Sequence, residues 1–138
     1  MDFEEITGKV RELNLISGKY ALFGSVPMTA HGIRECKDID VILTPDLYEK
    51  FRRSGEWREE TLPDGDKKLV KEPFDLMKTW WSSDSYHRDV STLIAEADLM
   101  NGIPVVRLEE VLAWKKAFAR EKDLSDVKLI EEFLSTRK

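Results

Sequence analysis

An α+β fold, with a central mixed sheet and helices packed on it, is what this sequence predicts. Three observations carry that expectation. Apolar residues near both ends recur at three- and four-residue spacing, as amphipathic helices require. Short apolar runs bounded by Gly, Pro, Asp or Asn lie between them, as buried strands require. The two patterns alternate along the chain with no repeat and no linker-like tract. The length of 138 residues suits one domain spanning 1–138.

The elements follow in order. Phe3, Ile6, Val10 and Leu13 form one apolar stripe, which predicts a helix over residues 2–15, ended before Gly18. The run 20–23 between glycines reads as a buried strand. Ser25 and Pro27 then start a short helix that Gly32 stops. Residues 38–43 are the second strand. Ile39, Val41 and Leu43 share one face, and Asp38, Asp40 and Ile42 the other. Thr44-Pro45 opens a helix that Gly55 closes, with Leu47, Tyr48 and Phe51 as its buried stripe. Residues 58–62 and 67–70 read as strands turned by Asp64-Gly65, and 74–79 as strand material after Pro73. Segment 80–89 is polar and carries no clear pattern. Residues 93–99 and 103–106 flank Asn101-Gly102, a strong hairpin signal. A C-terminal helix pair closes the chain, over 108–118 and 123–134, with Asp123 as cap and Asp126 at the capping-box position.

Composition narrows the function classes. Lys and Arg total 22 against 27 Asp and Glu, a net charge of −5, which argues against a broad nucleic-acid-coating surface. No apolar run approaches the roughly 20 residues that span a bilayer. The acidic, amphipathic N-terminus is unlike a signal peptide, so no membrane partner is expected. Cys36 is the sole cysteine, which excludes an intramolecular disulfide and fits a reducing, cytoplasmic location. It has no Cys or His partner at zinc spacing.

Asp38-Ile39-Asp40 is the sharpest local feature. Two aspartates at i and i+2 on a strand point the same way, with side-chain carbons roughly 7 Å apart. Charges that close repel unless a cation lies between them. Mg²⁺ needs only one or two carboxylates when substrate phosphates complete its shell. A solvent-facing strand face is the plainer reading of the tripeptide alone. The segment before it shifts the balance. Gly24-Ser25 follows a buried strand and precedes a short helix, a turn that offers N–H groups and a hydroxyl to an anion. Lys115 falls on the apolar face made by Leu108, Val111, Leu112, Phe118 and Ala119. There it either snorkels to the edge or meets a partner, a phosphate or an aspartate. Asp123 and Asp126 read as helix-cap groups, and Lys116 and Lys122 as solvated surface charge. On a strand, Trp80-Trp81 would send one ring inward and one outward, and the outer ring could stack a base or bind a partner.

Phe23-Gly24-Ser25, a short helix, His31-Gly32-Ile33-Arg34 and then Asp38-Ile39-Asp40 resembles the nucleotidyltransferase superfamily of polymerase β-like fold. The spacing is similar to its AbiEii-type and CCA-adding branch, although the Arg-Asp pair of the CCA-adding pattern is absent, with Pro27 and Met28 in that region. The stretch from Leu108 to Lys115, followed by Arg120-Glu-Lys-Asp123-Leu-Ser-Asp126, resembles the closing segment of uncharacterised nucleotidyltransferase-like proteins. The two matches bracket residues 20–127.

The resemblance implies a Mg²⁺- or Mn²⁺-dependent enzyme that moves NMP from an NTP to a hydroxyl acceptor. The acceptor could be an RNA end such as tRNA, a protein or a small molecule. Catalysis and metal binding would fall to Asp38, Asp40 and a third carboxylate, Asp75, with Glu72 as runner-up. Gly24, Ser25, Arg34, Lys115 and Arg120 would hold the nucleotide. The competing expectation is a non-catalytic nucleotide- or partner-binding module of the same fold, such as a toxin–antitoxin-type component, in a homodimer or with a partner chain. A kinase-like phosphotransferase is a weaker third. The place of Asp75 discriminates the first two: facing Asp38 and Asp40 across a cleft favours the enzyme.

Overall fold

The computed structural model describes residues 1–136. The helices are α1 (Phe3–Glu12), α2 (Val26–Ala30), α3 (Pro45–Arg53), α4 (Val90–Ala95), α5 (Leu108–Phe118) and α6 (Glu121–Ser135). The strands are β1 (Tyr20–Phe23), β2 (Ile39–Leu43), β3 (Arg58–Thr61), β4 (Lys67–Lys71), β5 (Phe74–Met77), β6 (Asp98–Met100) and β7 (Ile103–Val105). They form one mixed sheet in the order β3-β4-β5-β2-β1-β7-β6. β2 pairs with β5 and β1 with β7 in parallel, and the remaining pairs are antiparallel.

Alternation along the strands divides the core into two layers. Ile39, Val41 and Leu43 of β2 join Leu22 and Leu76 under Ile6 and Val10 of α1 and Leu47 and Tyr48 of α3. On the other face Ala21, Phe23, Ile42 and Met77 pack against α4, α5 and Ile130 of α6. That second layer stops short at one end of the sheet, where Asp40 stands in the row that Ile42 continues. The cleft opens there.

The expected mixed sheet, its flanking helices and the C-terminal helix pair are all present. Three local expectations are corrected. α1 ends at Glu12 rather than near residue 15, because the chain turns through Asn14 at φ +51°. Residues 93–95 are helical rather than strand: Val90, Leu93 and Ile94 stand at i, i+3 and i+4, and all three are buried in the second layer. α6 begins at Glu121 rather than after Asp123. Asp123 therefore stands in the first turn and reaches back to accept from the Arg120 backbone N–H at 3.1 Å. Asp126 lies inside the helix, buried on the same face as Val127 and Ile130.

Leu76 is fully buried on β5 between the layers' strands. Leu76→Ala should destabilise the protein by about 3 kcal/mol, through lost transfer energy and the cavity left behind. Urea denaturation would show it as a lower midpoint with an unchanged slope.

Candidate active site

Three chain segments meet at the open end of the sheet. β1 runs out into Gly24-Ser25, while β2 and β5 both begin there. The pairing is in register, with Phe23 opposite Asp40 and Asp40 opposite Asp75. Paired residues point to the same face, so the two carboxylates stand side by side. Asp38 precedes β2 on the same side, exposed at the mouth of the cleft.

Gly24 is required where it stands. Its φ is +63°, and a Cβ there would lie 2.0 Å from Asp40 Oδ2. The glycine thus lets the Asp40 carboxylate lie against the turn that follows β1.

The electrostatics reflect this crowding. Burial, then the charges of Asp75 and Asp38, push the Asp40 carboxyl up to about 7, with Lys68 pulling the other way. Burial also raises Asp75, again opposed by Lys68, whose Nζ lies 3.5 Å from Asp75 Oδ2.

The opposite wall is basic. Arg34 donates through Nε and Nη2 to both oxygens of Asp126, at 2.9 and 2.8 Å, and Nη2 also donates to Ser25 Oγ at 2.9 Å. The buried Lys115 ammonium lies 2.9 Å from Asp126 and 3.6 Å from Asp123. Arg120 Nε donates to Asp123 at 2.6 Å. Burial would raise the carboxyls of Asp123 and Asp126, but these ion pairs outweigh it and hold both below the usual range. Three cations share two carboxylates, so the wall keeps a surplus positive charge facing the acidic side.

A cleft of about 620 Å³ joins the two walls. All eight residues singled out in the sequence line it: Gly24, Ser25, Arg34, Asp38, Asp40, Asp75, Lys115 and Arg120. Glu72, the alternative third carboxylate, is exposed in the turn before β5, outside this lining. Lys115 takes the aspartate partner rather than snorkelling outward. Ser25 occupies the N-cap position of α2, but its hydroxyl makes no cap bond there and receives Arg34 instead. Trp80-Trp81 lies in an irregular segment rather than on a strand. Trp80 is buried and stacks on Phe23 with centroids 4.1 Å apart, while Trp81 is half-buried in the cleft lining. His31 packs edge-on against Phe133 at 5.5 Å, on α6.

Sequence reasoning missed Lys68 and the hub role of Asp126, while Lys122 is exposed, as expected, at the edge of the cleft. For Asp126 a signal existed: Asp123, Asp126, Val127 and Ile130 share one helical stripe, so both carboxylates face inward. Lys68 follows another lysine in a charged hairpin, and nothing local separates the two.

The donor set fits a hard divalent cation. Among the described residues, no three His, Cys, Asp or Glu side chains converge closely enough to hold a metal by themselves. Asp38, Asp40 and Asp75 are instead an open row whose mutual repulsion is relieved only in part by Lys68. One or two carboxylates with room for phosphate oxygens is how Mg²⁺ is usually held.

No family model and no curated protein matches the chain. Two solved structures are similar to it at 19% identity and a TM-score of 0.49. One is a solution structure of the antibiotic-resistance factor ANT(2″)-Ia, covering 97% of this chain and 86% of that one. The other is a crystal structure of ANT(2″)-Ia in complex with adenylyl-2″-tobramycin, covering 95% and 86%. At that distance they assign this chain neither substrate nor residue roles. Among the described residues no helix is long and apolar enough to cross a membrane.

The raised Asp40 carboxyl makes stability depend on pH. The folded state holds this proton more tightly than the unfolded chain, whose carboxyl titrates near 3.8. The stabilisation is therefore fully present below 3.8 and is lost as pH rises through about 7. Asp123 and Asp126 act oppositely, losing their contribution as pH falls below the usual carboxylate range. In metal-free buffer, Asp40→Asn should flatten the decline that wild type shows in chemical denaturation between about pH 4 and about pH 7, the span between the unfolded and folded titrations of Asp40. Parallel profiles for the two proteins would contradict this assignment.

Proposed function

We propose that this chain is a nucleotidyltransferase-like domain that moves NMP from an NTP to a hydroxyl acceptor with the help of Mg²⁺ or Mn²⁺. The observation that carries the reading is Asp75 standing in register beside Asp40, at the sheet end where Gly24-Ser25 turns. Nucleotidyl transfer is in-line attack of a hydroxyl on the α-phosphorus, with pyrophosphate leaving. Such transfers need mainly positioning and charge neutralisation.

Each wall of the cleft supplies part of that. Ser25 and Arg34 present a hydroxyl and a guanidinium to the phosphates, and Lys115 and Arg120 add positive charge behind them. Asp38 and Asp40 would hold the metal, and Asp75 completes the carboxylate row beside Asp40. A bound Mg²⁺ would neutralise phosphate charge and polarise the phosphoryl group. Asp75, with its raised affinity for a proton, is suited to receive the one the acceptor hydroxyl gives up. The sequence resemblance to the nucleotidyltransferase superfamily supports the same reading. The position of Asp75 favours an enzyme over a non-catalytic module, since a binding module has no need of a third carboxylate in register.

The test is incubation with each α-labelled NTP, Mg²⁺ or Mn²⁺, and RNA, protein and small-molecule fractions offered separately. Label should pass to one fraction. Asp38→Asn and Asp40→Asn should each lower transfer by about 100-fold or more, the loss typical of one preorganised electrostatic group. Circular dichroism should show both variants folded. Transfer undiminished in both would overturn the reading.

A further inference from the structure

The carboxylate row contains a cation that the nucleotidyl-transfer reading does not use. β4 runs antiparallel to β5, with Val70 opposite Asp75 and Lys68 opposite Met77. Lys68 therefore stands on the same face as Asp75, one pair further along. Its Nζ lies 3.5 Å from Asp75 Oδ2, with the two side chains 24% and 20% exposed. Among the described residues it is the only basic side chain within ion-pair distance of Asp38, Asp40 or Asp75. The other paired cations of the cleft, Arg34, Lys115 and Arg120, are engaged with Asp123 and Asp126 on the opposite wall.

We propose that Lys68 occupies, at Asp75, the place a second metal ion takes in a two-metal site, so that the cleft loads one divalent cation, on Asp38 and Asp40. The inference rests on the function proposed above and deepens it. Charge arithmetic supports it. Lys68 already offsets the charge of Asp75, which leaves Asp38 and Asp40 as the carboxylates a divalent ion would offset. A second divalent ion on Asp75 would have to displace the ammonium or lie against it, and like charges so close repel strongly in a half-buried site. Lys68 is a positioning residue: it acts through Asp75, fixing that carboxylate by the ion pair at 3.5 Å. A lysine suits the task better than an arginine fork where one carboxylate oxygen is to stay free, since the ammonium is a compact point charge.

The test counts ions rather than turnover. Mn²⁺ bound per chain is measured by electron paramagnetic resonance, with a saturating non-hydrolysable NTP analogue, for wild type, Lys68→Met and Lys68→Arg. Wild type and Lys68→Arg should bind one ion in the ternary complex, and Lys68→Met two. Lys68→Gln replaces Lys68→Met if the latter fails to fold, since it removes the same charge. Two ions on wild type, or a single ion on the uncharged variant, would overturn the inference and leave the parent reading standing. No Mn²⁺ binding to wild type would overturn both.

Discussion

The register between β2 and β5 places Asp40 directly beside Asp75, and the rest of the cleft is organised around that alignment. Two carboxylates on adjacent parallel strands cannot avoid each other by rotation alone, because the backbone pairing fixes their separation. A one-residue slip of β2 would send Asp38 and Asp40 to the opposite face, into the layer filled by Val41 and Leu76, and away from Asp75. The hydrophobic alternation of β2 therefore does two jobs. It anchors the strand in the core and aims Asp38 and Asp40 at the opening. Gly24 belongs to the same constraint, since any side chain there would strike the Asp40 carboxylate.

The opposite wall answers a different problem, that of burying charge. Lys115 is 4% exposed and Asp123 fully buried, positions that only good pairing makes tolerable. Asp126 solves it by serving two cations at once, and the fork of Arg34 passes from Asp126 to Ser25. The C-terminal helices are thereby tied to the turn after β1 through one guanidinium. Aromatic packing behind the cleft, with Trp80 stacked on Phe23 and Trp114 edge-on to both, stiffens the floor on which the two walls stand. The result is a cleft acidic on one side and basic on the other. That division suits a ligand with a metal at one end of a chain of phosphates.

Much of this was legible in the sequence because it rests on local periodicity. The alternation around Asp38-Ile39-Asp40, the glycine turn after residues 20–23 and the misplaced lysine at position 115 each break a pattern that the surrounding residues establish. Asp75 was legible for the same reason, as a charge flanked by apolar strand residues. What escaped depended on which elements meet in space. The pairing of β4 with β5 brings Lys68 to Asp75, and α6 presents Asp126 to Arg34 in the loop after α2. Ninety-two residues separate that last pair, and no local pattern links them. Residues 93–95 lead into β6 and its Asn101-Gly102 turn, so the hairpin signal masks the short buried helix that precedes it.

The central claim is that the carboxylate row and the basic wall accept a metal and a polyphosphate jointly, each relieving a repulsion the other leaves. Thermal unfolding at pH 8 tests it most directly, with Mg²⁺ alone, a non-hydrolysable NTP analogue alone, and both together. The account predicts that the pair raises the melting temperature by more than the sum of the separate shifts, since binding to the folded state stabilises it by mass action. Additive shifts, or a nucleotide effect indifferent to Mg²⁺, would contradict it.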